Sequence, residues 1–177
     1  MKRIIFSSPH GLHVPGADKL INEVAEGRRV TIEVARLCRK HSIALVREFH
    51  DDDSRTQNEN LNAIVRHHNS FERDLDVSIH FNAFKPTPKP RGVEVLYRDP
   101  AIMGLAAKVS AAIAGAGEFR DRGAKRRKNL RFLNQTNRPA ILIEVCFTDS
   151  EEDVRLYKQN YEAIVHAIAF TLAEWEG

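Results

Sequence analysis

Apolar and polar residues alternate through DVSIHFNAF, Asp76–Phe84. Val77, Ile79 and Phe81 fall on one side and Ser78, His80 and Asn82 on the other, the period-two pattern of a strand. Similar runs fill the rest of the chain. Arg3–Ser7 reads as a first strand that delivers His10 into a turn-rich loop, Leu20–Lys40 as a long helix, and Ile43–Val46 as a second strand before a polar loop with Asp51, Asp52 and Asp53. Thr56 begins TQNE, a capping box with Glu59, ahead of a helix carrying Leu61, Ile64 and Val65. After the central strand comes a loop broken by Pro86, Pro88 and Pro90, a strand at Gly92–Tyr97, and an alanine-rich helix at Ala101–Ala114 that ends near Gly115 and Gly117. A basic loop follows, then strand-like runs at Leu130–Leu133 and Ala140–Val145. Ser150, with Asp153 three residues on, caps a short helix, and Tyr161–Trp175 closes the chain as an amphipathic helix. There is no internal repeat and no linker. This order predicts an α/β fold, a single twisted, largely parallel β-sheet with helices on both faces, in one domain over residues 1–177.

Composition narrows the picture only a little. The 177 residues are enough for one sizeable core, and the net charge of +3 permits an anionic partner without selecting one. Cys38 and Cys146 lie in apolar runs and read as buried thiols. The N-terminal MKRIIFSSPHG has only three consecutive apolar residues, too few for the apolar region of a signal peptide, and no stretch reads as membrane-spanning. The expectation is synthesis in a cytoplasm without an export address and no stable membrane association.

Ligands lie outside the carboxyl ends of strands in α/β sheets, so a histidine at such an end is placed for chemistry. His10 follows the first strand, His80 ends the central one, and Glu144 lies within the apolar strand ILIEV. A further acid comes from the long helix, where Glu23 and Glu26 compete. At about 100° per residue, Leu20, Gly27, Val30, Val34 and Cys38 form one apolar arc, with Glu23 inside it, Glu26 at its edge and Glu33 beyond. A carboxylate on a buried face must be paired or ligate a metal, which favours Glu23. Two imidazoles and one carboxylate with an open position are the ligand set of catalytic zinc hydrolases. A second carboxylate nearby takes a proton from water and passes it to a leaving nitrogen. Glu144 suits that role; the alternative is a buried acid paired with one of the many arginines.

With these pieces assembled, the chain resembles the catalytic domain of zinc-dependent N-acetylmuramoyl-L-alanine amidases, in particular the single-chain enzymes used as phage endolysins. The resemblance rests on PHG around His10, NE at Asn22–Glu23, SIHFNA around His80, GVEVLY at Gly92–Tyr97, RGAKRRKNLRFLN at Arg122–Asn134 and ILIEVCFTDSEED at Ile141–Asp153, in family order over almost the whole chain. It implies one Zn2+ ion held by His10, Glu23 and His80, with Glu144 as catalytic acid/base. It also implies hydrolysis of the amide between N-acetylmuramic acid and L-alanine, with peptidoglycan as the partner and the cell wall as the place of action after release. Pro9 stands where the family usually has glycine, and His13 and Glu26 remain rivals to the assigned ligands. A separate wall-binding domain, which many relatives carry, is not expected within 1–177.

The remaining features add less. RDRGAKRRKNLR at Arg120–Arg131 reads as a solvated loop or as a patch that attracts stem-peptide carboxylates. Nucleic acid is not an expected partner, because no helix-turn-helix, zinc finger or aromatic platform accompanies the cluster. Asp51, Asp52 and Asp53 lack the spacing of a cation loop, and His67 and His68, adjacent on a helix, are given no role. Two other functions remain open: a zinc carboxypeptidase acting on stem peptides, and a non-catalytic binding module.

Overall fold

The computed structural model describes residues 2–41 and 44–176. Six strands form one sheet: β1 (Lys2–Gly11), β2 (Ala44–Asp51), β3 (Leu75–Asn82), β4 (Val93–Tyr97), β5 (Asp121–Arg126) and β6 (Ala140–Phe147), in the order β2-β1-β3-β6-β4-β5. Every neighbouring pair is parallel except β4 and β6. The expected α/β class and largely parallel sheet are therefore what the chain forms. The helices are α1 (Glu23–Lys40), α2 (Gln57–Asn69), α3 (Met103–Gly117), α4 (Arg131–Gln135), α5 (Glu151–Gln159) and α6 (Tyr161–Glu174).

The period-two pattern divides the two faces of the sheet. Val77, Ile79 and Phe81 of β3, Val93 and Val95 of β4, and Ile141, Ile143 and Val145 of β6 join Val30, Val34, Val109 and Ile168 from α1, α3 and α6 in the main core. The opposite residues of β4 and β6, Leu96, Ala140 and Leu142, pack with Ile64 of α2 and with Phe132 and Leu133 of α4 in a smaller cluster. That second face is only partly covered. Toward the carboxyl ends of β3 and β6 its positions become polar, and there the cleft opens.

Four expectations need correction. The long helix begins at Glu23, because the Asn22 side chain accepts the Ala25 N–H at 2.9 Å and caps it there; Leu20 lies before the cap and is exposed. Leu130–Leu133 is not a strand. Phe132 and Leu133 are consecutive and both buried, which a strand with one buried face does not allow, and Asn134 N–H bonds the Leu130 carbonyl at 3.0 Å in a helical turn. The basic loop contains the edge strand β5, paired with β4. Finally, the segment Pro100–Gly117 is long and apolar enough to cross a membrane by length and composition, against the expectation that no stretch reads as membrane-spanning. Here it packs its buried residues against the sheet and α6. Of the second predicted strand, Ile43 lies outside the described residues, while the strand itself runs on to Asp51.

Buried polar groups fix the frame beneath the cleft. Asp76 at the foot of β3 is fully buried and accepts from Arg73 Nε at 2.8 Å and Nη2 at 2.9 Å, with His68 Nδ1 at 2.7 Å. His68 thus has a structural place that its sequence position did not suggest. The proline loop after β3 is pinned to the turn after β6 and to the first turn of α5: Phe84 N–H bonds Asp149 Oδ2 at 2.7 Å, and Arg91 and Gly92 N–H both bond Asp153. Cys38 and Cys146 are free and buried, as expected.

Candidate metal centre and cleft

His10, Glu23 and His80 come from three separate elements and meet at the carboxyl end of the sheet. Their ligand atoms all lie within 4.8 Å of one another. Glu23 sits between the imidazoles, with Oε2 3.1 Å from His10 Nε2 and Oε1 3.1 Å from His80 Nδ1. Donors bound at about 2.0–2.1 Å to one tetrahedral ion lie roughly 3.3–3.4 Å apart. This cluster needs little adjustment to take one, and its donor types suit zinc.

Local sequence explains how the three meet. His10 is in the left-handed region with φ 53°, at a point where the β1–β2 register shifts. That conformation costs a non-glycine residue on the order of 1–3 kcal/mol and marks a constrained site. A Cβ on Gly27 would strike the Pro9 ring, so the missing side chain lets α1 press against the residue before His10. Glu23, one turn earlier on α1, is thereby brought alongside. A Cβ on Gly16 would strike Glu23 Oε2 and the His10 ring. Gly16→Ala is therefore expected to weaken metal binding at this cluster by roughly 10- to 100-fold, as changes to the groups that orient metal ligands do. Competition against a chelating dye measures this; unchanged affinity would show that the loop over the cluster has no part in shaping it.

The electrostatics suit a cation. Glu23 is 4% exposed, and burial works to raise its carboxyl. Hydrogen bonds and charges from His10 and His80 outweigh that and hold it well below the usual carboxylate range. Its oxygens also accept from Ala17 N–H at 2.7 Å and Phe81 N–H at 3.3 Å. Burial pushes the His80 imidazole down, towards the neutral form a metal needs. The Ser78 hydroxyl lies 3.0 Å from His80 Nε2, and the tautomer that donates this N–H leaves the Nδ1 lone pair facing the cluster.

Glu144 stands directly across from His80 in the β3–β6 register and from Glu94 in the β6–β4 register. Three polar side chains thus form a row across the floor of a cleft of about 660 Å³, walled by α2 and by the segment from Arg127 to Phe132. The Glu144 carboxylate is not paired with an arginine; its Oε2 is buried and has no hydrogen-bond partner among the described residues. Burial, then the charges of Glu23 and Glu94, push its carboxyl well above the usual value.

The cations go to Glu94 instead, a residue that motif reading passed over. Arg122 Nε lies 2.6 Å and Lys125 Nζ 2.5 Å from Glu94 Oε2, and Asn82 Nδ2 donates to Oε1 at 3.2 Å. Burial works to raise the Glu94 carboxyl, and these two cations more than reverse it. One signal was available: Glu94 interrupts an apolar strand as Glu144 does. The rivals are set apart from the cluster. His13 is exposed, and Glu26 accepts from the Tyr157 hydroxyl at 2.6 Å.

Residues 4–174 match the Amidase_3 family, described as N-acetylmuramoyl-L-alanine amidase. Among solved structures, the chain is similar to the catalytic domain of the CD27L endolysin targeting Clostridia difficile, with 26% identity, 97% of each chain covered and a TM-score of 0.88. It is also similar to an N-acetylmuramoyl-L-alanine amidase from Clostridium difficile 630, with 26% identity, 99% of this chain and 98% of that one covered, and a TM-score of 0.80. An uncharacterized 38.4 kDa protein of Clostridium perfringens is 28% identical over 161 residues, 89% of this chain. The chain spans 46% of that relative and 12% of a second uncharacterized C. perfringens protein, CPE1502, which is 43% identical over 42 residues.

Proposed function

Because the chain belongs to the N-acetylmuramoyl-L-alanine amidase family, we propose that it is a zinc amidase of bacterial cell walls that hydrolyses the amide between N-acetylmuramic acid and L-alanine in peptidoglycan. Residues 1–177 act as one catalytic domain. The observation that carries this reading is the unpartnered Glu144 carboxylate, held in register beside His80 of the metal-type cluster.

His10, Glu23 and His80 hold one Zn2+ ion. When bound, the ion supplies Lewis acidity that polarises the amide carbonyl and lowers the pKa of a water toward neutrality. Glu144 takes a proton from the attacking water on its free oxygen and delivers it to the amide nitrogen as the bond to L-alanine breaks. Its strand neighbours Ile143 and Val145 are buried in the main core, so the carboxylate moves little between the two transfers. Glu94 keeps Arg122 and Lys125 to itself, which leaves Glu144 free of a permanent counter-ion.

Mass spectrometry of soluble fragments from purified peptidoglycan, with and without chelator, tests the assignment. Free stems beginning at L-alanine are expected, together with stripped glycan strands, and chelation should abolish their release. Trimmed stems still attached to sugar would make the protein a carboxypeptidase. Wall binding without any release would make it a binding module.

A further inference from the structure

The short helix α4 separates the catalytic cleft from a second cavity of about 520 Å³. This cavity lies at the opposite end of the sheet: Ala140, which opens β6, is part of its lining, and Glu144 is four residues further on, about 13 Å along the strand. Buried Leu133, Thr136 and Ala140 form its base, and Arg98, Arg126 and Arg138 surround it.

Half of the eighteen arginines form an ion pair with a carboxylate, among them Arg3 with Asp74, Arg36 with Glu33, Arg73 with Asp76, Arg122 with Glu94 and Arg155 with Glu152. Of the three around this cavity only Arg138 does, at long range and to an exposed partner. Arg98 has no ion-pair partner among the described residues. Arg126 Nε is spent on the Arg98 carbonyl at 3.0 Å, and Arg138 reaches only Glu72 at 3.6 Å, whose side chain is 76% exposed. The lone carboxylate in the lining, Asp99, caps the Ala101 N–H at 3.0 Å. Three arginines line one concave surface beside a single carboxylate, and an oxyanion placed there is attracted by all three. Guanidinium forks match phosphate and carboxylate oxygens in pairs.

We propose that this arginine-rimmed pocket is a second anion site, which takes a phosphate or carboxylate group of the cell-wall polymer and holds the protein on the wall while the cleft acts about 13 Å away along β6. The inference rests on the wall-hydrolase reading, but its test reads binding rather than cleavage. The wild-type chain and an Arg98→Gln/Arg138→Gln variant are pelleted with purified walls over a range of salt concentrations. Both are also assayed on a small soluble muramyl peptide and heated with and without inorganic phosphate.

The variant is expected to bind intact walls about fivefold more weakly, with a shallower salt dependence, and to cleave the soluble substrate at the wild-type rate. Phosphate should raise the wild-type melting midpoint more than the variant's. If the difference in wall binding disappears on walls stripped of phosphate polymers, the anion is phosphate; if it persists, the anion is a stem carboxylate. Equal binding of both proteins to intact walls at every salt concentration would overturn the proposal. A wild type that pellets normally but releases no stems would instead sink the amidase reading and leave the pocket's result readable.

Discussion

Glu144→Gln is expected to lower kcat by roughly a hundred- to ten-thousandfold, the usual worth of a general acid–base group, with zinc content unchanged. Glutamine keeps the shape of the side chain and has no proton to take or give at neutral pH. The same variant should be more stable than the wild type when both are metal-free. Burial and the charges of Glu23 and Glu94 raise the Glu144 carboxyl in the folded state, so it ionises at lower pH when the chain unfolds. Below the ordinary carboxylate range the group is protonated in both states and opposes nothing. As pH rises above that range the unfolded chain releases the proton first, and folded stability is lost. Glutamine escapes that loss, so the gap between variant and wild type should open with rising pH in thermal melts. Loss of zinc on substitution would make Glu144 a ligand. Retained turnover would remove it from the chemistry.

The placement of Glu144 was legible because it obeys the strand period. Ile141, Ile143 and Val145 point one way and leave Leu142 and Glu144 the other, just as Val77, Ile79 and Phe81 leave His80. Helical phase worked for Glu23 for the same reason, although Leu20, used to draw that arc, proved to lie outside the helix. What stayed hidden is what breaks a period. Arg122 and Lys125 are three apart and would face opposite sides of a regular strand. In β5 two steps of β4, Val93 to Val95, are matched by three, Asp121 to Ala124, with Gly123 at φ 74° in the extra position. This bulge turns both cations toward Glu94. His10 was likewise placed after the end of its strand, whereas a left-handed turn inside β1 aims it at Glu23. The arginine pocket draws on Arg98, Arg126 and Arg138, which no local pattern connects, and only the antiparallel pairing of β4 with β6 brings the first and last together.

Removing one imidazole should have the second large effect, because no other His, Cys, Asp or Glu among the described residues joins the three in the cluster. Wild type is expected to bind one zinc per chain. At a free zinc concentration a hundred times the dissociation constant, binding adds about 2.7 kcal/mol, roughly 5–10 °C in melting midpoint for a chain of this size. His80→Ala should abolish that shift and reduce amidase activity to the level seen with chelator. His80 and Glu23 face each other at 3.1 Å, so the variant leaves Glu23 buried with one imidazole instead of two, and its metal-free form should also be less stable. His13→Ala and Glu26→Gln supply the contrast: each should keep the zinc-dependent shift and the activity, since His13 is exposed and Glu26 is engaged by Tyr157. If His13→Ala loses the metal, the loop must rearrange on binding and exchange one histidine for another. If His80→Ala still binds stoichiometrically and turns over, the cluster at the carboxyl end of β3 is not the zinc site, and the mechanism built around Glu144 goes with it.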